Sequence, residues 1–206
     1  MSGLAHRGNK GGRDGPKIVQ IEDIPREVTD TSSILRKCPK KTLLIAPHKQ
    51  EKGDSCVAAS LKVALSRFDI NFTEEELRVA CGYRQNDGGI SLFDLRRGAQ
   101  SLGLNVEDYF RRSADFIIEK VSEGKPVIVS YEYPISKLIA WLPFLPKSFH
   151  SSVVYGYDGD ILLLFNVYKG KTERWTKTEF EKVWIGDITA ISPSASQTGL
   201  PALRAG

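Results

Sequence analysis

The spacing of apolar residues changes once along the chain, at Pro126, and this change restricts the fold more than any other feature. Before Pro126, apolar side chains recur every three or four residues, which is the spacing of an amphipathic helix. The first such stretch, with Asp54 or Ser55 as its N-cap, carries Val57, Leu61, Ala64, Leu65 and Phe68. Three more helices are predicted over residues 73–81, 91–102 and 115–122, from their capping and terminating residues.

After Pro126 the pattern is typical of strands. Short runs rich in β-branched and aromatic residues occur at residues 127–131, 152–157 and 161–165, and Asp158-Gly159-Asp160 is a hairpin turn between the last two. One more helix over residues 177–184 precedes a final strand at residues 187–191. We therefore predict an α+β fold, with an N-terminal helical part followed by an antiparallel β-sheet.

The three cysteines, Cys38, Cys56 and Cys81, argue against both a disulfide framework and a zinc site. They are odd in number and lack CxxC or Cys/His metal spacing. We expect no cofactor and no metal. The longest apolar run, residues 138–145, is interrupted by Pro143 and is far shorter than the roughly 20 residues of a membrane span. The chain is expected to have no membrane span and to be cytoplasmic.

Positive charge is concentrated at the N-terminus. Residues 1–52 hold eleven Lys and Arg against six Asp and Glu, whereas the whole chain carries a net charge of +4. No basic stripe interleaved with aromatic residues follows, so nucleic-acid binding is not expected. We predict a disordered basic tail at residues 1–16, an N-terminal arm at 17–46, one domain at 47–191 and a disordered tail at 192–206. The sequence leaves the oligomeric state open.

Cys56 is the candidate nucleophile because it lies in the first turn of the first predicted helix. Unpaired backbone N–H groups and the macrodipole favour a thiolate there, so we expect a lowered pKa. Most free cysteines are simply small buried residues, which is the interpretation for Cys38 and Cys81. Gln50 strengthens the case for Cys56, since its side-chain amide, six residues earlier, can donate to an oxyanion alongside the Cys56 N–H.

The segment from Gln50 to Leu61, Gln-Glu-Lys-Gly-Asp-Ser-Cys-Val-Ala-Ala-Ser-Leu, resembles the opening of papain-like cysteine peptidases. It is most similar to the bacteriocin-processing peptidases that cut leader peptides after a double glycine. Further similarities follow in the family's order, at Gly88-Gly-Ile-Ser-Leu92, Gly98-Ala-Gln-Ser-Leu-Gly-Leu104, Gly124-Lys-Pro126, His150, Asn166, Phe180 and Trp184-Ile-Gly186. The resemblance covers residues 47–187 and implies a papain-like peptidase domain that prefers small residues before the cut.

Two positions depart from the family pattern. The family usually has Asp-Cys-Gly, where this chain has Asp54-Ser55-Cys56-Val57 and therefore an extra residue before the nucleophile and no glycine after it. At the third catalytic position the family commonly has Asp-Pro, where this chain has Asn166-Val167. An Asn can orient an imidazole through its side-chain oxygen but adds no charge to stabilise an imidazolium.

His150 is the candidate base. His6 lies in the predicted tail and His48 lies on the other side of the nucleophile in the family layout. Asn166 follows His150 by sixteen residues across the predicted hairpin turn, where a hydrogen bond between the two can form. The expected chemistry is attack by the Cys56 thiolate on a peptide carbonyl, with His150 exchanging the proton and Gln50 holding the oxyanion.

Two alternatives stay open from the sequence. The same residues could perform another acyl transfer, such as deamidation, transglutamination or cleavage of a protein by an effector protease. Alternatively, the domain could bind peptides without cleaving them. Its expected partner in each case is a peptide or a protein.

Overall fold

The fold is built around an antiparallel sheet whose central strands are buried on both faces. The computed structural model describes residues 40–83, 89–133 and 148–194. Its helices are α1 Cys56–Ser66, α2 Glu74–Ala80, α3 Leu92–Ser101, α4 Ala114–Ser122 and α5 Lys177–Glu181. Its strands are β1 Lys40–Thr42, β2 Leu104–Phe110, β3 Val127–Tyr133, β4 Ser148–Asp158, β5 Ile161–Asn166, β6 Lys171–Thr176 and β7 Trp184–Pro193.

The strands lie in the order β2-β7-β3-β4-β5-β6, and every neighbouring pair is antiparallel. β4 is the longest strand and has two partners along one edge. Its first seven residues pair with β3, and its last three, from Gly156, pair with β1. β4 and β5 form a hairpin closed by Gly159 and Asp160, as the sequence predicts. The central position of β4 brings side chains of β3, β5 and α1 close to it.

Alternation along the strands divides the core into two layers. On one face, Ile128 and Val153 pack with α1, α2 and α3. On the other face, Val127 and Val154 pack with α4 and with Phe180 of α5. A sheet covered on both sides explains why the β3 and β5 segments are almost continuously apolar in sequence, with no polar face.

The α+β class and the order of the main elements are confirmed. α1 begins at Cys56 after its N-cap Ser55, and α2 begins with a reciprocal capping box between Thr73 and Glu76. α3 and α4 lie within one residue of the predicted bounds at each end, and three of the predicted strands are present in longer form. Local signals were sufficient for these elements because capping residues and apolar periodicity agreed.

Besides the three-residue β1, two strands were missed, and they are the first and last strands in the order β2-β7-β3-β4-β5-β6. β2 lies between α3 and α4, so the simple order of helices followed by strands is wrong at this point. β2 carries charged side chains such as Glu107 and Asp108, and β6 alternates between exposed and half-buried residues. Edge strands bury little and commonly carry charge, so their apolar pattern is weak.

The limits of two other elements also differ from the predictions. α5 ends at Glu181 rather than at Trp184, and β7 runs from Trp184 to Pro193, beyond both predicted ends. Residues 40–42 of the predicted arm form β1. The remaining parts of the predicted tails and arm, residues 1–39 and 195–206, lie outside the described residues. None of the described helices has the length and hydropathy needed to cross a bilayer.

Gly98 in α3 provides a test of the packing between α2 and α3. A Cβ added at Gly98 would lie 2.7 Å from the Cα and Sγ atoms of Cys81. We expect Gly98→Ala to lower the free energy of unfolding by about 1–3 kcal/mol, because backbone atoms cannot move aside cheaply. Chemical denaturation measures the change. Gly53→Ala is the control, since nothing lies within 4 Å of its added Cβ, and a stable Gly98→Ala variant would contradict this packing.

Candidate active site

Cys56 is the first residue of α1, and its thiol lies against β4. The backbone N–H and the hydroxyl of Ser151 both donate hydrogen bonds to the Cys56 sulfur. Burial raises the pKa of the Cys56 thiol, and the Ser151 donors only partly offset this effect. The predicted lowering of this pKa by the helix N-terminus is therefore wrong in direction, because loss of hydration outweighs the helix effect. The resting group is a neutral thiol.

His150 and Asn166 are brought together at neighbouring ends of β4 and β5. The Nε2 atom of His150 lies 3.0 Å from Oδ1 of Asn166, which is the hydrogen bond expected from their spacing. His150 is 7% exposed and Asn166 is fully buried. Tyr131 packs edge-on against the imidazole with ring centroids 5.7 Å apart. Burial lowers the pKa of His150, whereas the Asn166 bond raises it, so the resting imidazole is neutral at neutral pH.

The carboxylate of Glu173 is hydrogen-bonded to Asn166. The Nδ2 atom of Asn166 donates to Glu173 at 3.1 Å, and Glu173 also pairs with Lys169 at 2.6 Å. The charge of Glu173 raises the pKa of His150, and that of Lys169 opposes it. Asn166 itself carries no negative charge. Glu173 of β6, which is bonded to Asn166 on the side away from His150, supplies that charge instead. Sequence analysis missed Glu173 because β6 itself was missed.

Cys56 and His150 approach the same strand from different sides. Successive residues of a strand point to opposite faces, so Ser151 meets Cys56 in the α1 layer while His150 packs with Tyr131 in the other layer. Among the described residues, no hydrogen bond joins the Cys56 thiol to the His150 ring. The thiol nevertheless touches the residue that follows His150. Catalytic hydrogen bonds are often long in the absence of substrate and shorten when it binds.

Gln50 lies in the loop before α1 and is fixed through its backbone. Its N–H donates to Val167 O at 2.9 Å, directly after Asn166, and its Nε2 donates to Lys52 O at 2.7 Å. Its Oε1 is buried and has no partner among the described residues. The structure therefore ties Gln50 to the Asn166 end of β5, with one amide N–H directed at its own loop.

Glu74, the first residue of α2, anchors the loop that carries Gln50 and Cys56. It is 1% exposed. Its carboxylate accepts the Glu51 N–H at 3.0 Å, the Ser55 hydroxyl and the His48 Nε2–H at 2.8 Å. Ser55 therefore uses its hydroxyl on Glu74 and makes no side-chain cap to α1. Sequence analysis included Glu74 only as part of a capping box, and no local signal marks a buried carboxylate.

His48, Glu51 and Glu74 could together hold a metal ion, since one ligand atom from each lies within 4.8 Å of the others. The Glu74 oxygens already accept hydrogen bonds from the loop, however, and Ser55 is among those donors. A metal would have to replace these bonds. The group is better explained as the anchor of the loop.

Asp54 neither caps α1 nor contacts Cys56. It pairs with Arg78 at 2.9 Å and accepts the hydroxyl of Tyr83, and Arg78 lies over the Tyr83 ring at 3.7 Å. The Tyr83 hydrogen bond, followed by the Arg78 bond, lowers the pKa of Asp54. The structure therefore excludes Asp54 as the N-cap of α1, which is Ser55. The three side chains instead connect the start of α1 to the end of α2.

An open cleft of about 760 Å³ begins at Cys56. α1 and residues 89–94 form one side of it, and α3 continues that side. Its floor consists of side chains from β2, β3, β4 and β7, including Ser130 and Ser151. Cys56 thus lines a space large enough for peptide side chains.

The model of the Peptidase_C39 like family matches residues 42–188. The chain belongs to this family. It is therefore a cysteine peptidase, as the sequence predicted. The match spans α1 through most of the sheet and includes Gln50, Cys56, His150 and Asn166. A comparison with curated proteins finds no match.

Solved structures share the papain-like fold of this C39-like peptidase at low sequence identity. A double glycine motif protease from an AMS/PCAT transporter, in complex with the leader peptide, has a TM-score of 0.55 and 19% identity, covering 74% of this chain and 94% of that one. The peptidase domain of Streptococcus ComA has a TM-score of 0.56 and 19% identity, covering 72% of this chain and 98% of that one. Xylellain, a cysteine protease from Xylella fastidiosa, has a TM-score of 0.56 and 15% identity, covering 93% of this chain and 99% of that one.

The Ser151 contact predicts how the Cys56 thiol titrates in this peptidase. Alkylation of Cys56 by iodoacetamide should rise with pH to a midpoint above the ~8.5 of an ordinary thiol. Ser151→Ala should move this midpoint higher still, because the thiolate loses a hydroxyl donor. Peptide mapping after timed labelling separates Cys56 from Cys81, whose pKa is raised to about 11 by burial. An unchanged midpoint in Ser151→Ala would show that the hydroxyl does not act on the thiol.

Removing the charge of Glu74 should loosen the loop before α1. We expect Glu74→Gln to lower the free energy of unfolding by about 1–3 kcal/mol, because a buried acceptor of several donors is altered. Hydrogen exchange of the Glu51 amide should also become faster. Glu75→Gln is the matched control, since Glu75 is exposed and pairs only at the surface with Lys52 and Arg78. Equal effects of the two substitutions would contradict the anchoring role.

Proposed function

We propose that this C39-like peptidase hydrolyses peptide bonds with Cys56 as nucleophile, His150 as base and acid, Asn166 as the residue that orients His150, and Gln50 as an oxyanion donor. The observation that carries the proposal is the buried His150–Asn166 hydrogen bond, formed one residue away from the Ser151 donors that hold the Cys56 sulfur. A nucleophile next to a base that is held in place by a third side chain is typical of enzymes that perform covalent acyl transfer.

The proton transfer uses the second nitrogen of His150. Asn166 engages Nε2. Substrate binding would have to bring the His150 ring within hydrogen-bond reach of the thiol, and Nδ1 then takes the Cys56 proton as the sulfur attacks the carbonyl carbon. The imidazolium then gives this proton to the departing amine, which leaves a thioester on Cys56. Water attacks the thioester with His150 again accepting a proton, and the carboxylic acid is released with the thiol restored.

Burial disfavours the charged forms of both Cys56 and His150. It raises the pKa of Cys56 and lowers that of His150, so both groups are neutral before substrate binds. The Ser151 donors and the Glu173 charge act in the opposite sense, toward thiolate and imidazolium. Proton transfer therefore belongs to the attack step, where the developing oxyanion and imidazolium are stabilised together.

Gln50 supports oxyanion binding through the second N–H of its amide. One N–H is held by the Lys52 carbonyl, which fixes the plane of the amide. The N–H of Cys56 at the start of α1 is the other proposed donor. Glu74 anchors the Ser55 hydroxyl and the Glu51 N–H on either side of this loop, which restricts the separation of the two donors.

A peptide substrate is supported by the cleft beside Cys56 and by a structural relative solved with a leader peptide. Cleavage after small residues such as a double glycine follows from the family resemblance. Cys56 and Cys81 are both free thiols, and a nucleophile that must stay reduced fits action in the cytoplasm.

Single substitutions in these residues test the proposal. Cys56→Ala should abolish cleavage of a peptide library, and His150→Ala should lower kcat by about 10²–10⁴-fold. Asn166→Ala should lower kcat more than it raises KM, since Asn166 bonds to His150, Glu173 and the Lys169 N–H but does not line the cleft. Mass spectrometry of digests measures the rates, and an electrophilic peptide that labels Cys56 reports acylation directly. Full activity in Cys56→Ala would overturn the proposed mechanism.

A further inference from the structure

Four side chains form a row across the floor of the cleft. Ser151 of β4 pairs with Ser130 of β3, and their hydroxyls are 3.0 Å apart. The next strand, β7, contributes Asp187, and β2 contributes Phe110, which is the direct partner of Asp187. All four line the same cleft as Cys56. Two strand spacings of about 4.8 Å place Asp187 roughly 10 Å from Ser151, and therefore close to the nucleophile.

Large apolar side chains surround this row. Phe93 of α3, Phe110, Phe149 of β4 and Ile185 of β7 all line the cleft. They are 69%, 66%, 57% and 41% exposed, respectively. Such exposure around one concave surface indicates binding of a side chain rather than packing of the core.

The acidic residues of the cleft differ in whether a basic side chain or a hydrogen-bond donor already pairs with them. Asp54 pairs with Arg78, and Asp94 pairs with Arg97. Asp108 accepts the Thr189 hydroxyl at 2.8 Å and lies 3.6 Å from Arg96. In the described part of the chain, the Asp187 carboxylate has neither a hydrogen bond nor an ion pair.

Partial burial, together with the charge of Asp108, raises the pKa of Asp187. A cation bound beside Asp187 would lower this pKa again, because its positive charge stabilises the ionised carboxylate. Long basic side chains suit the rest of the cleft as well. Their methylene stems pack on apolar surfaces while the charged head reaches a polar partner, and a guanidinium also stacks favourably on aromatic rings.

We infer that Asp187 selects a basic side chain, arginine or lysine, within two residues of the bond that Cys56 cleaves. The stem would lie between Phe110 and the Ser130–Ser151 pair, with its charged end at the Asp187 carboxylate. This inference rests on the proposed function and specifies its substrate class. Where the two residues before the cut are glycines, the basic side chain would belong to one of the two residues after the cut.

The first test compares substrates and needs no substitution. Peptides that place Arg, citrulline, norleucine or Gly at each of the two positions on either side of a cleavable bond are digested by the full chain. At one position, Arg should be cleaved with a kcat/KM about 10- to 100-fold higher than citrulline, which has nearly the same shape but no charge. Equal rates for Arg and citrulline at every position would overturn the inference and leave the proposed function intact.

The second test changes Asp187. Asp187→Asn should lower the ratio of kcat/KM for the Arg peptide to kcat/KM for the citrulline peptide from about 10- to 100-fold to about one. Asp115→Asn is the control, because Asp115 is also a half-buried carboxylate but pairs with Lys177 beside α4, away from the cleft. A preference for Arg that survives in Asp187→Asn would contradict the assignment.

A third measurement separates this inference from the proposed function. Fluorescence anisotropy of the same peptides on the Cys56→Ala variant reports binding without chemistry. Tighter binding of Arg than of citrulline, lost in the Cys56→Ala/Asp187→Asn double variant, supports the basic subsite even if no peptide is cleaved by the unaltered chain. Equal binding of the two peptides overturns it, whether or not cleavage occurs.

Discussion

The burial of β4 on both faces is the constraint on which the rest of the structure depends. A strand covered on both sides must send successive side chains into different layers. His150 therefore packs with Tyr131, whereas Ser151 meets the thiol of Cys56. A shift of one residue in the register of β4 would exchange these two environments and separate His150 from Asn166. The pairing of β4 with β3 and β5 thus fixes the positions of His150, Ser151 and Asn166 relative to one another.

The site controls charge by excluding water and then adding a few directed polar groups. Desolvation keeps both the thiol and the imidazole neutral at rest, while Ser151 and Glu173 stabilise their charged forms. Glu173 compensates in part for having an amide rather than a carboxylate beside His150. Because Glu173 contacts Asn166 and Lys169, its influence on His150 is indirect and is moderated by the lysine.

The loop between β1 and α1 depends on a distant carboxylate. Glu74 belongs to α2, yet it bonds to the N–H of Glu51 and to the hydroxyl of Ser55. This explains how the extra residue before Cys56 is accommodated, since Ser55 turns inward to Glu74 rather than capping α1. The Asp54–Arg78 pair forms a second connection between α1 and α2. Two polar links therefore hold the nucleophile's helix against its neighbour.

The sequence by itself determined the α+β class, four helices and the central strands, and it predicted Gln50, Cys56, His150 and Asn166 as the site residues. Apolar periodicity, capping residues and turn residues are local signals, and the order of short motifs is visible in one dimension. The His150–Asn166 hydrogen bond could also be predicted from the sequence, because a hairpin places residues at a known separation along the chain opposite each other.

Only the tertiary structure decided the pKa direction of Cys56, the partners of its thiol, and the contacts of Glu74, Glu173 and Asp187. Each of these depends on burial or on contacts between segments far apart in sequence, such as β4 with α1 or β7 with β2. The edge strands β2 and β6 were not predicted for a related reason. Their polar residues are compatible with a strand only because neighbouring strands supply hydrogen bonds, and a single sequence does not specify those neighbours.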